Sequence, residues 1–77
     1  MNTLPRARIQ LRSTTLVAAA YDNRHNLVLD FCDGTRYRYA GVAPSLYHGL
    51  LSADSKGSFF NRYIRDRFSY VKLSAEN

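Results

Sequence analysis

From residue 15 onward, short apolar or alternating segments are separated by polar residues, a pattern typical of β-strands joined by turns. The segments are Leu16–Tyr21, Leu27–Phe31 and residues 35–40. Polar residues lie between them at 22–26 and at 32–34. The pattern therefore predicts three strands, each of which pairs with the next in an antiparallel meander.

The length of the second turn decides which residues share a face of this sheet. A two-residue turn would pair Leu29 with Arg38 and place arginines on the apolar face, which a buried face does not tolerate. A three-residue loop over 32–34, with Gly34 in the left-handed conformation, pairs Leu29 with Tyr37 instead. We therefore predict the three-residue loop.

With that register, one face of the sheet is apolar and aromatic and the other is mixed. The apolar face is expected to contain Val17, Ala19, Tyr21, Leu27, Leu29, Phe31, Tyr37 and Tyr39. The opposite face is expected to contain Ala18, Ala20, Val28, Asp30, Arg36 and Arg38.

After the predicted sheet, apolar residues recur at helical spacing. Pro44 suits the first turn of a helix, and the apolar stripe of this helix is Leu46, Tyr47, Leu50 and Leu51. Asp54 or Ser55 can cap a second helix. Its apolar side would be formed by Phe59, Phe60, Tyr63 and Ile64.

Three strands alone are barely stable, so the helices are expected to cover the apolar face. The predicted fold is α+β: an antiparallel three- to four-stranded meander sheet with one face covered by two helices. The fourth strand would come from residues 68–73. The chain divides into a basic N-terminal arm at 1–12, which is either mobile or an edge strand, a domain at 13–73 and a frayed tail at 74–77.

Positive charge is concentrated at the two ends of the chain, whose formal net charge is +5. Residues 55–73 contain five cations against one acid. Residues 1–21 contain no acid and three arginines, Arg6, Arg8 and Arg12. This distribution favours an acidic partner, either RNA or DNA or an acidic protein surface. A solvated surface that maintains solubility explains it equally well.

The remaining composition limits the class of protein. Cys32 is the single cysteine, which fits a reducing compartment. No apolar run approaches the length of a membrane span, and the first twenty residues lack the apolar core of a secretory signal. We therefore expect a cytoplasmic protein, monomeric and not associated with a membrane.

Residues for catalysis are scarce. His25 and His48 have no partner at a spacing typical of a metal site, and Cys32 has no evident histidine base. The four glycines form no phosphate-binding motif. The sequence therefore predicts neither an enzyme nor a metal or cofactor site.

Basic residues are the candidates for contacts with nucleic acid or with an acidic partner. They are Arg36, Arg38, Lys56, Arg62 and Arg65, of which the four arginines are expected to cluster. The helix start at Ser55-Lys56-Gly57 is able to bind an anion, but a cap at Ser55 and close packing at Gly57 explain it more simply. The ten aromatic residues are able to stack on bases, but a core role explains them more simply.

Several short motifs occur in a defined order between residues 13 and 70. They are Ser13 and Leu16; Tyr21-Asp22; Leu27 to Phe31; Asp33-Gly34; Tyr37-Arg38-Tyr39; Gly41-Val42; Ser55-Lys56-Gly57; Phe59-Phe60-Asn61; and Ile64-Arg65. In the order and spacing of these motifs the chain resembles the KTSC domain. That domain is found at the C-terminus of some lysyl-tRNA synthetases and as a stand-alone bacterial protein.

The resemblance implies a domain without catalytic residues, for which RNA binding is suggested by the synthetase context. It also implies motif positions that maintain the fold, namely Gly34, Tyr37, Tyr39, Ser55 and Gly57.

Three hypotheses about function follow. The first is a small basic module associated with RNA or with the transcription or translation machinery. The second rests on a resemblance to a small regulator encoded by a bacteriophage, which binds bacterial RNA polymerase and alters initiation or termination. Arg6, Arg8 and Arg12 of the arm would then dock on the partner. The third is an accessory protein with an unknown partner.

Overall fold

Residues 8–73 are described by the structure, a computed structural model of the chain. It is an α+β fold with five strands and two helices in this range. The strands are β1 (Arg8–Gln10), β2 (Leu16–Tyr21), β3 (Leu27–Phe31), β4 (Arg36–Tyr39) and β5 (Tyr70–Leu73), and the helices are α1 (Pro44–Ser52) and α2 (Lys56–Tyr63). The predicted tail at 74–77 lies outside the described residues.

The five strands form one antiparallel sheet in the order β1-β2-β3-β4-β5. The predicted class and the meander are confirmed, and the sheet has one strand more than the expected maximum. The additional strand is β1, within the segment for which an arm and an edge strand were alternatives.

The predicted three-residue loop between β3 and β4 is confirmed. Leu29 pairs with Tyr37, and the N–H of Phe31 donates to the carbonyl of Thr35 across the loop. Gly34 has φ of 93°, a left-handed conformation that glycine adopts without steric cost. The hydroxyl of Thr35 donates to Asp33 at 2.7 Å, and this hydrogen bond lowers the pKa of the Asp33 carboxyl.

The start of β2 differs from the prediction. Leu16 pairs with Phe31 and Ala18 with Asp30, so that Val17 is an extra residue in a β-bulge. An extra residue reverses the faces of the residues before it. Leu16 is therefore fully buried, and Val17 is 41% exposed rather than part of the apolar face.

Helix α1 begins at Pro44, so the proline lies in the first turn, as predicted. Tyr47 and Leu50 are its buried residues, and the ring of Tyr47 stacks on that of Tyr21 at 4.5 Å. Because Tyr21 lies on β2, this contact places α1 against the apolar face of the sheet.

Helix α2 begins at the Ser55 cap, whose hydroxyl accepts a hydrogen bond from the N–H of Ser58. The fit at Gly57 is close, because a Cβ there would lie 2.7 Å from Oγ1 of Thr15. Phe60 and Ile64 are buried beneath the helix, whereas Tyr63 is 46% exposed and does not belong to the buried side.

The core lies between the apolar sheet face and the two helices. Its fully buried side chains are Leu16, Leu27, Leu29, Val42, Leu50 and Ile64. Within residues 8–73, no helix has the length and apolar character that crossing a membrane requires.

Candidate nucleic-acid interface

The sheet face opposite the helices is crossed by two rows of paired residues. One row contains Arg8, Ala20, Val28, Arg38 and Val71. The neighbouring row contains Gln10, Ala18, Asp30, Arg36 and Leu73. We call this surface the open face. The helices contact the other side of the sheet, where the ring of Phe60 meets that of Tyr39 edge-on at 5.8 Å.

Asp30 is held between two arginines on the open face. Arg36 donates from Nε to Oδ1 of Asp30 at 2.6 Å and from Nη2 to Oδ2 at 3.3 Å. Arg8 forms an ion pair with the same carboxylate from the other side. The Asp30 side chain is only 14% exposed, so this cluster is partly shielded from water and stronger than an ordinary surface pair.

The small residues of β2 allow Arg8 to reach Asp30. Arg8 pairs with Ala20, and Asp30 pairs with Ala18, so the ion pair passes over β2 between these two alanines. Both alanines are buried. A larger side chain at either position would occupy the space that the arginine crosses.

Arg38 is exposed and lies on the same face as Arg36, two residues along β4. The strands therefore present Arg8, Arg36 and Arg38 on the open face against the single carboxylate of Asp30. One carboxylate neutralises only one guanidinium, so the open face retains positive charge.

The predicted arginine cluster is divided between the two sides of the sheet. Arg36 and Arg38 are together on the open face, but Arg62 lies on α2 and Arg65 just after it, on the side of the sheet that the helices cover. The guanidinium of Arg62 lies 6.0 Å from the ring centre of Tyr63. Arg65 contacts Asn61 at 3.4 Å and lies 3.9 Å from the Asp66 carboxylate. The expectation that all four would cluster is wrong, because the sheet separates the pairs.

Lys56 is directed away from the start of α2. Its Nζ donates to the carbonyl of Ala53 at the end of α1, at 2.9 Å. The hydroxyl of Ser55 donates to that of Ser58 at 2.9 Å. These contacts, and the close fit of Gly57, favour the structural interpretation of this segment over an anion site.

Two of the three arginines predicted for the arm lie within the described residues. Arg8 belongs to β1 and its side chain is committed to Asp30. Arg12 is exposed just after β1. Arg6 lies outside the described residues.

Tyrosines form a graded cluster on the helix side of β4 and β5. Tyr39 is 4% exposed, Tyr37 is half-buried and Tyr70 is 53% exposed. Burial, and then the neighbouring hydroxyls of Tyr37 and Tyr70, raise the pKa of Tyr39 to about 12. The core interpretation therefore holds for Tyr39 and only partly for Tyr37.

Two features of the surface were missed by the sequence analysis. The first is the pairing of Asp30 with Arg8, which requires β1 to join the sheet. The second is the exposed pair of Tyr70 and Lys72 on β5. The sequence predicted a strand in residues 68–73, but it did not indicate that the helices would leave this edge uncovered on their own side of the sheet.

Two proteins that are similar to this chain in sequence differ in how much of their own length the similarity covers. A protein from Tsukamurella paurometabola is 38% identical over 64 residues, which cover 82% of this chain and 96% of the relative. A lysine–tRNA ligase from Nostoc punctiforme is 40% identical over 48 residues, which cover 62% of this chain but only 9% of the ligase.

The fold and the family are shown by two further matches. The crystal structure of a KTSC domain protein from Yersinia pestis matches with a TM-score of 0.85 and 29% identity, covering 88% of this chain and 97% of that protein. The family model described as KTSC domain matches residues 12–68. The chain therefore belongs to the KTSC domain family.

Proposed function

We propose that this protein is a non-enzymatic module that binds RNA through the phosphate backbone at the open face. The observation that carries the proposal is the placement of Arg8, Arg36 and Arg38 on one sheet surface that no described helix covers. The ion pairs with Asp30 hold the guanidiniums of Arg8 and Arg36 in position, which lowers the entropy lost on binding a polyanion.

The charge balance of the open face supports this proposal. Asp30 orients Arg8 and Arg36 and neutralises one positive charge. Guanidiniums are suited to phosphate, because their planar set of donors matches two phosphate oxygens at once. Contacts of this kind give affinity without sequence preference.

The relationship to the lysine–tRNA ligases is a second support. The segment of this chain that matches the Nostoc punctiforme ligase covers 9% of that enzyme. The name of the enzyme gives a tRNA as its substrate. A surface that binds the RNA backbone would serve such a domain both as a part of a tRNA ligase and on its own.

The test is the affinity for a fluorescently labelled RNA oligonucleotide, measured by anisotropy at several salt concentrations. Binding should weaken as salt rises, because each phosphate contact releases bound counterions. Arg38→Gln should lower affinity about fivefold at low salt. It should also reduce the slope of log affinity against log salt by roughly 0.7, as expected for one lost contact to a single strand.

Arg62→Gln is the matched control, because it removes the same charge from the helix side. Equal losses from Arg38→Gln and Arg62→Gln would mean that net charge alone attracts RNA and would contradict a site on the open face. A wild-type protein that binds no RNA at low salt would overturn the proposed function.

A further inference from the structure

Helices α1 and α2 leave the β5 edge of the sheet uncovered on their own side. Tyr70, Val71 and Lys72 of this edge strand are all exposed. Tyr70 and Lys72 are the helix-side neighbours of Tyr39 and Tyr37 across the β4–β5 ladder. An exposed aromatic ring and an ammonium group therefore lie side by side on an edge strand.

The Tyr70 ring is supported by other rings. Its centre lies 5.6 Å from that of Tyr37 and 5.8 Å from that of Tyr39. Phe60 packs edge-on against Tyr39, and Phe31 packs edge-on against Tyr37. These neighbouring rings restrict the position of the Tyr70 ring, so little side-chain entropy remains to be lost when a flat ligand stacks on it.

We propose that Tyr70, with Lys72 beside it, is a stacking site for an unpaired base of a single-stranded nucleic acid. Every base has an aromatic face, and stacking on tyrosine is tolerant of sequence. Lys72 is the cross-strand partner of Tyr37 and lies two residues from Tyr70 on the same side of β5, within reach of the phosphate next to a stacked base. A basic chain with a net charge of +5 favours this occupant over a neutral peptide.

The inference rests on the proposed function, since it adds a base contact to the phosphate contacts of the open face. The two surfaces meet at β5. Arg38 pairs with Val71 on the open face, while Tyr39 pairs with the adjacent Tyr70 on the helix side. A flexible single strand is able to pass around this edge and contact both sides, whereas a stiff duplex is not. The protein is therefore expected to prefer single strands.

The test compares three probes of equal length: a single-stranded RNA, the corresponding RNA duplex, and an abasic single strand with the same number of phosphates. Wild-type protein should bind the single-stranded RNA more tightly than the abasic strand. Tyr70→Ala should lower affinity for the single-stranded RNA roughly tenfold. It should leave the affinity for the duplex and for the abasic strand unchanged.

Tyr70→Phe keeps the ring and should retain most of the affinity. Tyr63→Ala is the matched control, because Tyr63 is a second exposed tyrosine, on α2 beside Arg62, and its removal should have no effect. Lys72→Gln should weaken binding to both single strands and lower the salt dependence. The thermal unfolding temperature of each variant shows whether a loss of RNA affinity is caused by destabilisation of the fold.

The outcomes separate this inference from the proposed function. Equal binding of the RNA and abasic strands by wild-type protein, with normal salt dependence, would overturn the stacking site but leave the phosphate contacts intact. No binding of any of the three probes would overturn the proposed function itself. Binding of a proline-rich peptide that Tyr70→Ala abolishes, without any preference for bases, would assign the tyrosine to a protein partner and overturn the inference.

Discussion

The two faces of the sheet are both partly buried, but they are built from different side chains. On the helix side, Leu27 and Leu29 are fully buried beneath aromatic and aliphatic residues of α1 and α2. On the open face, Ala18 and Ala20 are buried at 4% and 3% exposure without a helix above them. Their cross-strand neighbours on this face are Arg8, Gln10, Val28 and Asp30.

The difference shows how a small domain divides stability and recognition between two faces. Apolar burial on the helix side supplies most of the free energy of folding. On the open face, the long side chain of Arg8 covers small residues and keeps its charged end near the surface. Small residues under long cations keep this face available to a partner without exposing a large apolar area.

The largest effect should come from the centre of the helix side. Leu29→Ala is expected to cost about 2–5 kcal/mol, because it leaves a cavity in a closely packed core. A domain of this size has only a few kcal/mol of stability, so the variant should be largely unfolded at room temperature. Val71→Ala, on the open face at 51% exposure, should cost about 0.5 kcal/mol or less. Urea denaturation followed by circular dichroism measures both.

Similar losses from these two substitutions would show that the open face is covered in solution, and would remove the contrast between the faces.

The second effect is a loss of stability at alkaline pH that comes from Tyr39, the buried tyrosine on the helix side. The pKa of Tyr39 is raised by burial to about 12 in the folded protein, against about 10 in an unfolded chain. The folded state therefore favours the neutral phenol. The neutral phenol of Tyr39 therefore contributes roughly 1–3 kcal/mol to the free energy of unfolding. This contribution is fully present below pH 10 and is lost as the pH rises from 10 towards 12.

Stability measured against pH for wild type and Tyr39→Phe checks this sign. The variant keeps the ring but has no hydroxyl to titrate, so its stability should fall less between pH 10 and 12. Some loss should remain, since burial also raises the pKa of Tyr21 and Tyr47. Identical curves for the two proteins would show that Tyr39 titrates as an exposed phenol.

The smallest effect belongs to the open face and changes stability and binding in opposite directions. Asp30→Asn leaves Arg8 and Arg36 without their carboxylate and should cost about 1–2 kcal/mol. The same change removes the negative charge from the proposed phosphate surface, so RNA affinity at low salt should rise. A double-mutant cycle with Arg36→Gln should give a coupling energy of about 1 kcal/mol.

Unchanged stability in Asp30→Asn would mean that the ion pairs only reflect proximity. Lower RNA affinity in a folded Asp30→Asn variant would show that the aspartate is needed to orient the arginines, and that their order matters more than the net charge.

Local sequence patterns were sufficient to predict most of the strands and helices and the register of β3 against β4. The β3–β4 loop could be predicted because only one of two turn lengths kept arginines off the apolar face, and the glycine at position 34 suited the left-handed residue of that turn. Pro44 marked the start of the first helix, and the capping residues Asp54 and Ser55 marked the start of the second to within one residue.

The β-bulge at Val17 could not be predicted in the same way. Leu16 and Val17 are both apolar, so either is acceptable on a buried face, and the sequence contains no preference between them. The hydroxyl of Ser13 accepts hydrogen bonds from the N–H groups of Thr15 and Leu16. Gly57 of α2 also packs closely against Thr15. These contacts occur together with the β2 register in which the Leu16 side chain faces the core.

The chain by itself determined its basic character, its order of strands and helices from β2 onward and most of the residues that form the core, because charge and periodicity are properties of local sequence. Only the tertiary structure decided which arginines share a surface. Positions 36 and 62 are equally basic in the sequence, but they lie on opposite sides of the sheet because the helices pack on one face. The tertiary structure likewise joined Arg8 to Asp30 and left Tyr70 exposed, since the pairing of edge strands and the extent of helix cover depend on contacts between residues far apart in the chain.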